Sequence, residues 1–242
     1  MSGKKIGGAG LRGQSAGETS ICTVGVSGSG LTYRGFDIVD LAENTTFEEV
    51  AYLLLKGKLP NSQELKAYIE KLKTLRGLQP ELRSTLEGIP KTAHPMDVLR
   101  TGCSVLGNLE QEEGFINQTD HADRMLSAFP SILSYWYQYS HYGKRIDTET
   151  SDDTIGGHFL HLLHGKKPSQ LHDQVMSISL ILYAEHEFNA STFAARVCAS
   201  TLSDIHSAVT SAIGTLRGPL HGGANEAASA MLSQWNDPDV AE

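Results

Sequence analysis

Thr46-Phe-Glu-Glu-Val-Ala-Tyr-Leu-Leu-Leu-Lys-Gly57 is followed almost at once by Asn61-Ser-Gln-Glu-Leu-Lys-Ala-Tyr-Ile-Glu-Lys-Leu72. Each stretch opens on a capping residue with a glutamate three positions later, Thr46 with Glu49 and Asn61 with Glu64. That spacing lets each side chain satisfy a backbone amide of the other's turn. Phe47, Val50, Leu53 and Leu54 then fall on one helical stripe that stops near Gly57. Leu65, Tyr68, Ile69 and Leu72 form a second stripe that stops near Gly77. Two capped, amphipathic segments back to back predict helix packed on helix.

The same signals continue in both directions. Pro80 to Glu87 reads as a short helix, His94 opens another running to about Gly107, and Glu110 to Gly114 is an acidic loop. Residues 120–142, 154–164, 169–183 and 190–202 read as further helices. Asp204 caps a stripe of Ile205, Val209, Ala212, Ile213 and Leu216. Gly218-Pro219 breaks the chain, and Gly222 to Trp235 reads as a last helix. Toward the amino terminus, residues 1–17 read as a Gly-, Lys- and Ser-rich arm. Thr19 to Val24 and Leu31 to Tyr33, joined by Gly25-Val-Ser-Gly-Ser-Gly30, suggest a small hairpin. Two strands are not stable alone, so the hairpin has to lie on something else. Many helices and one hairpin mean an all-α domain.

Composition narrows the function. The 242 residues carry a net charge of -8, which disfavours generic nucleic-acid binding. The longest apolar stretch, Leu180 to Ala184, is far too short to cross a bilayer, and no secretory signal is evident. Cys22, Cys103 and Cys198 are odd in number and unpaired in spacing, which argues against a disulfide framework and favours a reducing, cytoplasmic setting. From Pro168 to Glu242 the only Lys or Arg residues are Arg196 and Arg217.

Four features carry candidate chemistry. His158, His161 and His164 share one drifting helical face, but without a recognised ligand spacing they read as packing or surface histidines rather than a metal site. Tyr135, Trp136, Tyr137, Tyr139 and Tyr142 read as packing or interface aromatics rather than a stacking box. His186 lies between Glu185 and Glu187 at a helix junction. It either pairs with one of them or faces a cleft. His221 stands in Arg217-Gly-Pro-Leu-His-Gly-Gly-Ala-Asn225, where a helix should start. A helix N-terminus disfavours imidazolium, and a neutral imidazole there can donate to a carbonyl developing oxyanion character. The alternative is a Gly-rich connector with a solvated histidine.

The order of several segments resembles the citrate synthase family. They are Leu31-Thr-Tyr-Arg-Gly-Phe-Asp-Ile38, Phe47-Glu-Glu-Val-Ala-Tyr-Leu-Leu54, Gly57-Lys-Leu-Pro60, His94-Pro-Met-Asp-Val-Leu-Arg-Thr101, Ala184-Glu-His-Glu-Phe-Asn-Ala-Ser-Thr-Phe193 and Gly218-Pro-Leu-His-Gly-Gly-Ala-Asn225. Within the family, Leu11-Arg-Gly-Gln-Ser-Ala-Gly17 and Ser134-Tyr-Trp-Tyr137 look most like the bacterial 2-methylcitrate synthases. The resemblance implies a citrate-synthase-like multihelical large domain and a Claisen-type condensation of propionyl-CoA with oxaloacetate, followed by thioester hydrolysis. Acetyl-CoA is the alternative acyl donor. His221 matches the family histidine that hydrogen-bonds the thioester oxygen, His186 one that binds oxaloacetate, and Asn189 is placed in the same pocket. The family uses no metal and no prosthetic group, acyl-CoA being a substrate, and works as a homodimer. The helices opening at His94 and Asp204 look like its interface elements.

The resemblance also implies a division, with residues 1–221 as the large helical domain and 222–242 as the start of a smaller one. In the family that smaller domain brings a basic CoA-binding segment with a second histidine, an aspartate base and carboxylate-binding arginines. Motifs for these are not found here. The chain therefore reads as most of the large domain of a longer enzyme, and the scarcity of bases after Pro168 points the same way. A catalytically incomplete helical dimerisation domain is the reading from another functional class.

Overall fold

The computed structural model describes residues 17–25 and 30–233. Three strands come first, β1 (Cys22–Val24), β2 (Leu31–Tyr33) and β3 (Phe36–Asp37). They form one antiparallel sheet in the order β1-β2-β3, with Cys22 opposite Tyr33 and Thr32 opposite Asp37. The expected hairpin is present, with a shorter first strand, but a third strand was not anticipated. It follows from a two-residue turn. Arg34 and Gly35 both take positive φ, 51° and 89°, as a turn matching the strand twist requires. The arm up to Ala16, most of the Leu11–Gly17 motif and residues 26–29 of the hairpin connection lie outside the described residues.

Eleven helices follow among the described residues: α1 (Ile38–Asn44), α2 (Phe47–Lys56), α3 (Ser62–Thr74), α4 (Pro80–Glu87), α5 (Pro95–Leu109), α6 (Gln118–Tyr142), α7 (Ile155–His164), α8 (Gln170–Leu182), α9 (Ala190–Ser200), α10 (Ile205–Leu216) and α11 (Gly223–Leu232). Both capping boxes form in full. Asp204 caps α10 through the Ser207 amide. Gly57 closes α2 at φ 84°, a conformation that costs a residue with a Cβ. Pro130 removes one bond of the α6 ladder, yet the helix continues through it. The last helix ends at Leu232, short of Trp235, which lies outside the described residues.

The buried side chains form two cores. One gathers Leu82, Leu86, Val98, Leu106, Ile132 and Ile213 from α4, α5, α6 and α10. The other gathers Tyr33, Val50, Leu53, Leu72, Ile155 and Ile181 from the sheet, α2, α3, α7 and α8. Tyr135 and Trp136 are buried in the first core. The Tyr135 hydroxyl donates to Glu87 and the Trp136 indole to the Ile89 carbonyl, so these aromatics pack rather than line a ligand site. By contrast, α9 and α11 bury none of their residues. No helix among the described residues is long and apolar enough to cross a membrane.

Candidate active site

The sheet sits on the junction between α8 and α9, the segment that carries His186. The Tyr33 hydroxyl donates to the Ile181 carbonyl at 2.9 Å and accepts from the Glu185 amide at 3.2 Å. The Val24 amide donates to Glu187 Oε1 at 3.0 Å. Glu187 itself takes φ 54°, an uncommon conformation for a residue with a Cβ, and its side chain is held by that long-range bond to β1. Beyond it, the Arg196 guanidinium lies 4.4 Å over the Phe188 ring. Burial raises the Glu185 carboxyl above its usual range. The hairpin thus splints a short, strained loop.

His186 is exposed at the tip of this loop. Among the described residues it makes no ion pair with Glu185 or Glu187, and Glu187 is engaged by Val24 instead. The pairing alternative for His186 is therefore not what the structure shows: the side chain is exposed and no ion pair holds it among the described residues. Asn189 ends the loop as the N-cap of α9. Its Oδ1 accepts from the Thr192 amide at 2.8 Å and lies 2.7 Å from the Ser191 hydroxyl. Among the described residues its side-chain NH2 has no hydrogen-bond partner.

His221 lies on the connection between α10 and α11, half-buried, and its ring meets the first turn of α9. Nε2 is 2.8 Å from Ser191 Oγ and 3.3 Å from the Ser191 backbone nitrogen. An amide N–H can only donate, so when it engages Nε2 that nitrogen carries no proton, and the neutral ring holds its proton on Nδ1. The hydroxyl suits either tautomer. It donates to a bare Nε2, or it accepts from Nε2–H and passes its own proton to Asn189 Oδ1. Among the described residues Nδ1 has no hydrogen-bond partner. In the tautomer with Nε2 bare, Nδ1–H is a donor oriented by Ser191, an arrangement able to stabilise charge developing on a carbonyl oxygen. Ser191 therefore joins His221 to Asn189, whereas His186 stands on the same loop without a bond to either.

Of the remaining candidate histidines only His158 belongs to the core, His161 being half-buried and His164 exposed. His158 is fully buried between Ser131 Oγ (3.1 Å) and Thr150 Oγ1 (3.0 Å). Burial, aided by the Arg76 charge, pushes its pKa down to about 3. His161 turns to Asp152 instead, with Nδ1 at 2.7 Å from Oδ2. Among the described residues no group of three or more His, Cys, Asp or Glu converges as metal ligands would. The three cysteines are free.

The model for the family described as citrate synthase, C-terminal domain, matches residues 10–242. The chain belongs to the citrate synthase family. It is 70% identical over 234 residues to the 2-methylcitrate synthase of Shewanella oneidensis, a match covering 97% of this chain and 62% of that protein. It is 40% identical over 231 residues to the 2-methylcitrate synthase of Mycobacterium tuberculosis, covering 95% and 58%. Among solved structures, citrate synthase from Thermotoga maritima is similar with a TM-score of 0.82 and 38% identity, over 95% of this chain and 61% of that one. Citrate synthase from Thermoplasma acidophilum, solved as a ternary complex with carboxymethyl coenzyme A and oxaloacetate, gives a TM-score of 0.86 at 29% identity over 94% of this chain and 60% of that one. The chain thus spans about 62% of the length of the first curated relative.

The expected all-α, citrate-synthase-like fold is the observed one. Ser191 was not singled out from sequence. The signal that points to it is its place in the first turn of a helix capped by Asn189, beside the His186 motif. Tyr33 and Glu187, which hold the loop, were likewise not marked as site-forming residues.

Proposed function

We propose that the protein of which this chain forms part is an acyltransferase condensing propionyl-CoA with oxaloacetate and water to give 2-methylcitrate and CoA. The observation that carries this reading is the 70% identity to a 2-methylcitrate synthase across 97% of the chain. The site supports it. The thioester α-carbon loses a proton, and negative charge collects on the thioester oxygen. His221 Nδ1–H is the donor for that oxygen, with Nε2 held by Ser191. The enol carbon then attacks the ketone of oxaloacetate, held by His186 and the Asn189 amide. Water cleaves the resulting thioester and CoA leaves. No residue of this chain is assigned as the base that removes the α-proton.

In the same reading, residues 1–221 are the large helical domain and 222–242 begin a smaller one. The protein works as a cytoplasmic homodimer through α5 and α10, without a metal or prosthetic group. The bare faces of α9 and α11 suit further covering.

Citrate synthase activity on acetyl-CoA is the second reading, favoured by relatives such as the Deinococcus radiodurans citrate synthase at 39% identity. CoA release by the full-length protein, measured with each acyl-CoA and oxaloacetate, separates the two. Preference for propionyl-CoA is expected. Equal or better use of acetyl-CoA overturns the 2-methylcitrate assignment. A pocket distinguishes one methylene by only about 1–3 kcal/mol, so the ratio has to be measured.

A further inference from the structure

The connection bearing His221 is gripped from outside the site described above. Its backbone is tightly folded, with the His221 and Gly223 amides both donating to the Gly218 carbonyl, at 3.0 and 3.1 Å. The helix that follows, α11, buries nothing. Among the described residues its one side-chain bond to the rest of the molecule runs from Glu226 Oε2 to His94 Nε2, at 2.9 Å. His94 is the N-cap of α5, and its Nδ1 accepts the Met96 amide proton at 3.1 Å. That bond fixes the neutral tautomer, so the proton sits on Nε2 and points at Glu226. Three residues on, Asp97 Oδ2 lies 3.6 Å from Arg217 Nε. The first turn of α5 therefore touches the chain on both sides of His221. Between these two contacts lies a 300 Å³ cleft bordered by Met96, Tyr183, Leu216 and Gly222. Packing leaves the gap to α5 open, so across it these polar contacts are what tie the compact connection to α5.

We propose that His94 is a positioning residue for this reaction, a strut that acts through Glu226 and α11 to hold the His221 connection where Ser191 can orient the ring. The proposal rests on the functional reading above for its kinetic consequence and on geometry alone for its structural one. A displacement of about 1 Å at a reacting group can cost on the order of a hundredfold in rate.

The test uses the full-length protein with three variants. His94→Asn keeps a cap acceptor for the Met96 amide but falls short of Glu226. Glu226→Ala removes the other end at a side chain 63% exposed, so folding is not at stake. Glu226→Gln keeps an acceptor without the charge. The His221 ring signals are followed by NMR in 15N-histidine-labelled protein, beside kcat and KM for the condensation. Expected are His221 signals shifted or broadened in His94→Asn and Glu226→Ala, kcat lowered about tenfold or more with KM for oxaloacetate within about twofold, and recovery of both in Glu226→Gln. Because one contact is removed from either end, the double variant is expected to be no worse than the poorer single one. Unmoved His221 signals with kcat near wild type overturn the strut. A cap-only role predicts an effect confined to stability in His94→Asn and none in Glu226→Ala, which also overturns it. Absence of condensation in the wild type counts against the functional reading instead, and the NMR comparison still decides the strut.

Discussion

Ser191 Oγ stands 2.8 Å from His221 Nε2 across 30 residues of sequence, and the same hydroxyl is 2.7 Å from Asn189 Oδ1. One serine therefore ties the loop of one candidate substrate group to the ring of another. Ser191→Ala is expected to leave the backbone amide at Nε2 but free the ring to rotate. Losing one such hydrogen bond costs about 1–3 kcal/mol, or roughly five- to 150-fold in kcat. The measurement is CoA release at saturating substrates. A wild-type kcat would show that the amide alone suffices.

Removing the ring itself is the stronger intervention. His221→Ala is expected to lower turnover by about two to four powers of ten, the range of an acid–base or oxyanion group. Its melting temperature should stay close to wild type, because the side chain is only half-buried and outside both cores. A near-wild-type rate would remove His221 from the proposed chemistry.

The helical framework was legible because its signals are local. Thr46 with Glu49 and Asn61 with Glu64 advertise their boxes within four residues, and both boxes form. Asp204 likewise announced α10. The site was legible only in its motif residues. Tyr33 reaches Glu185 across 152 residues, and His94 reaches Glu226 across 132. Neither pairing leaves a periodic trace in the sequence. Strand β3 escaped for another reason. At two residues it is shorter than any alternation pattern, and the Arg34-Gly35 turn alone creates it.

Acid should weaken the fold through His158. Its pKa is pushed down to about 3 in the folded chain against an ordinary value of 6.5. Below pH 6.5 the unfolded chain therefore binds a proton that the folded chain refuses. Stability from this group is intact above pH 6.5 and is lost as pH falls toward 3. At pH 4.5 the loss is about 2–3 kcal/mol at 1.36 kcal/mol per pH unit. Urea unfolding of wild type and His158→Gln at pH 7 and 4.5 isolates it. The variant should show the smaller drop on acidification, and equal drops would refute the assignment.

Two glycines should respond to alanine with opposite sign. A Cβ on Gly107 of α5 would come within 2.7 Å of His206 Cβ, an atom fixed to the α10 backbone. The helices would have to part, and overpacking of this kind costs about 1–3 kcal/mol. A Cβ on Gly214, inside α10, meets nothing closer than Arg100 Cδ at 3.7 Å, an ordinary contact. There the gain is the helix propensity of alanine over glycine, up to about 1 kcal/mol. Thermal unfolding is therefore expected to fall for Gly107→Ala and rise for Gly214→Ala. A Gly107→Ala protein as stable as wild type would mean that α5 and α10 do not meet as closely as this packing requires.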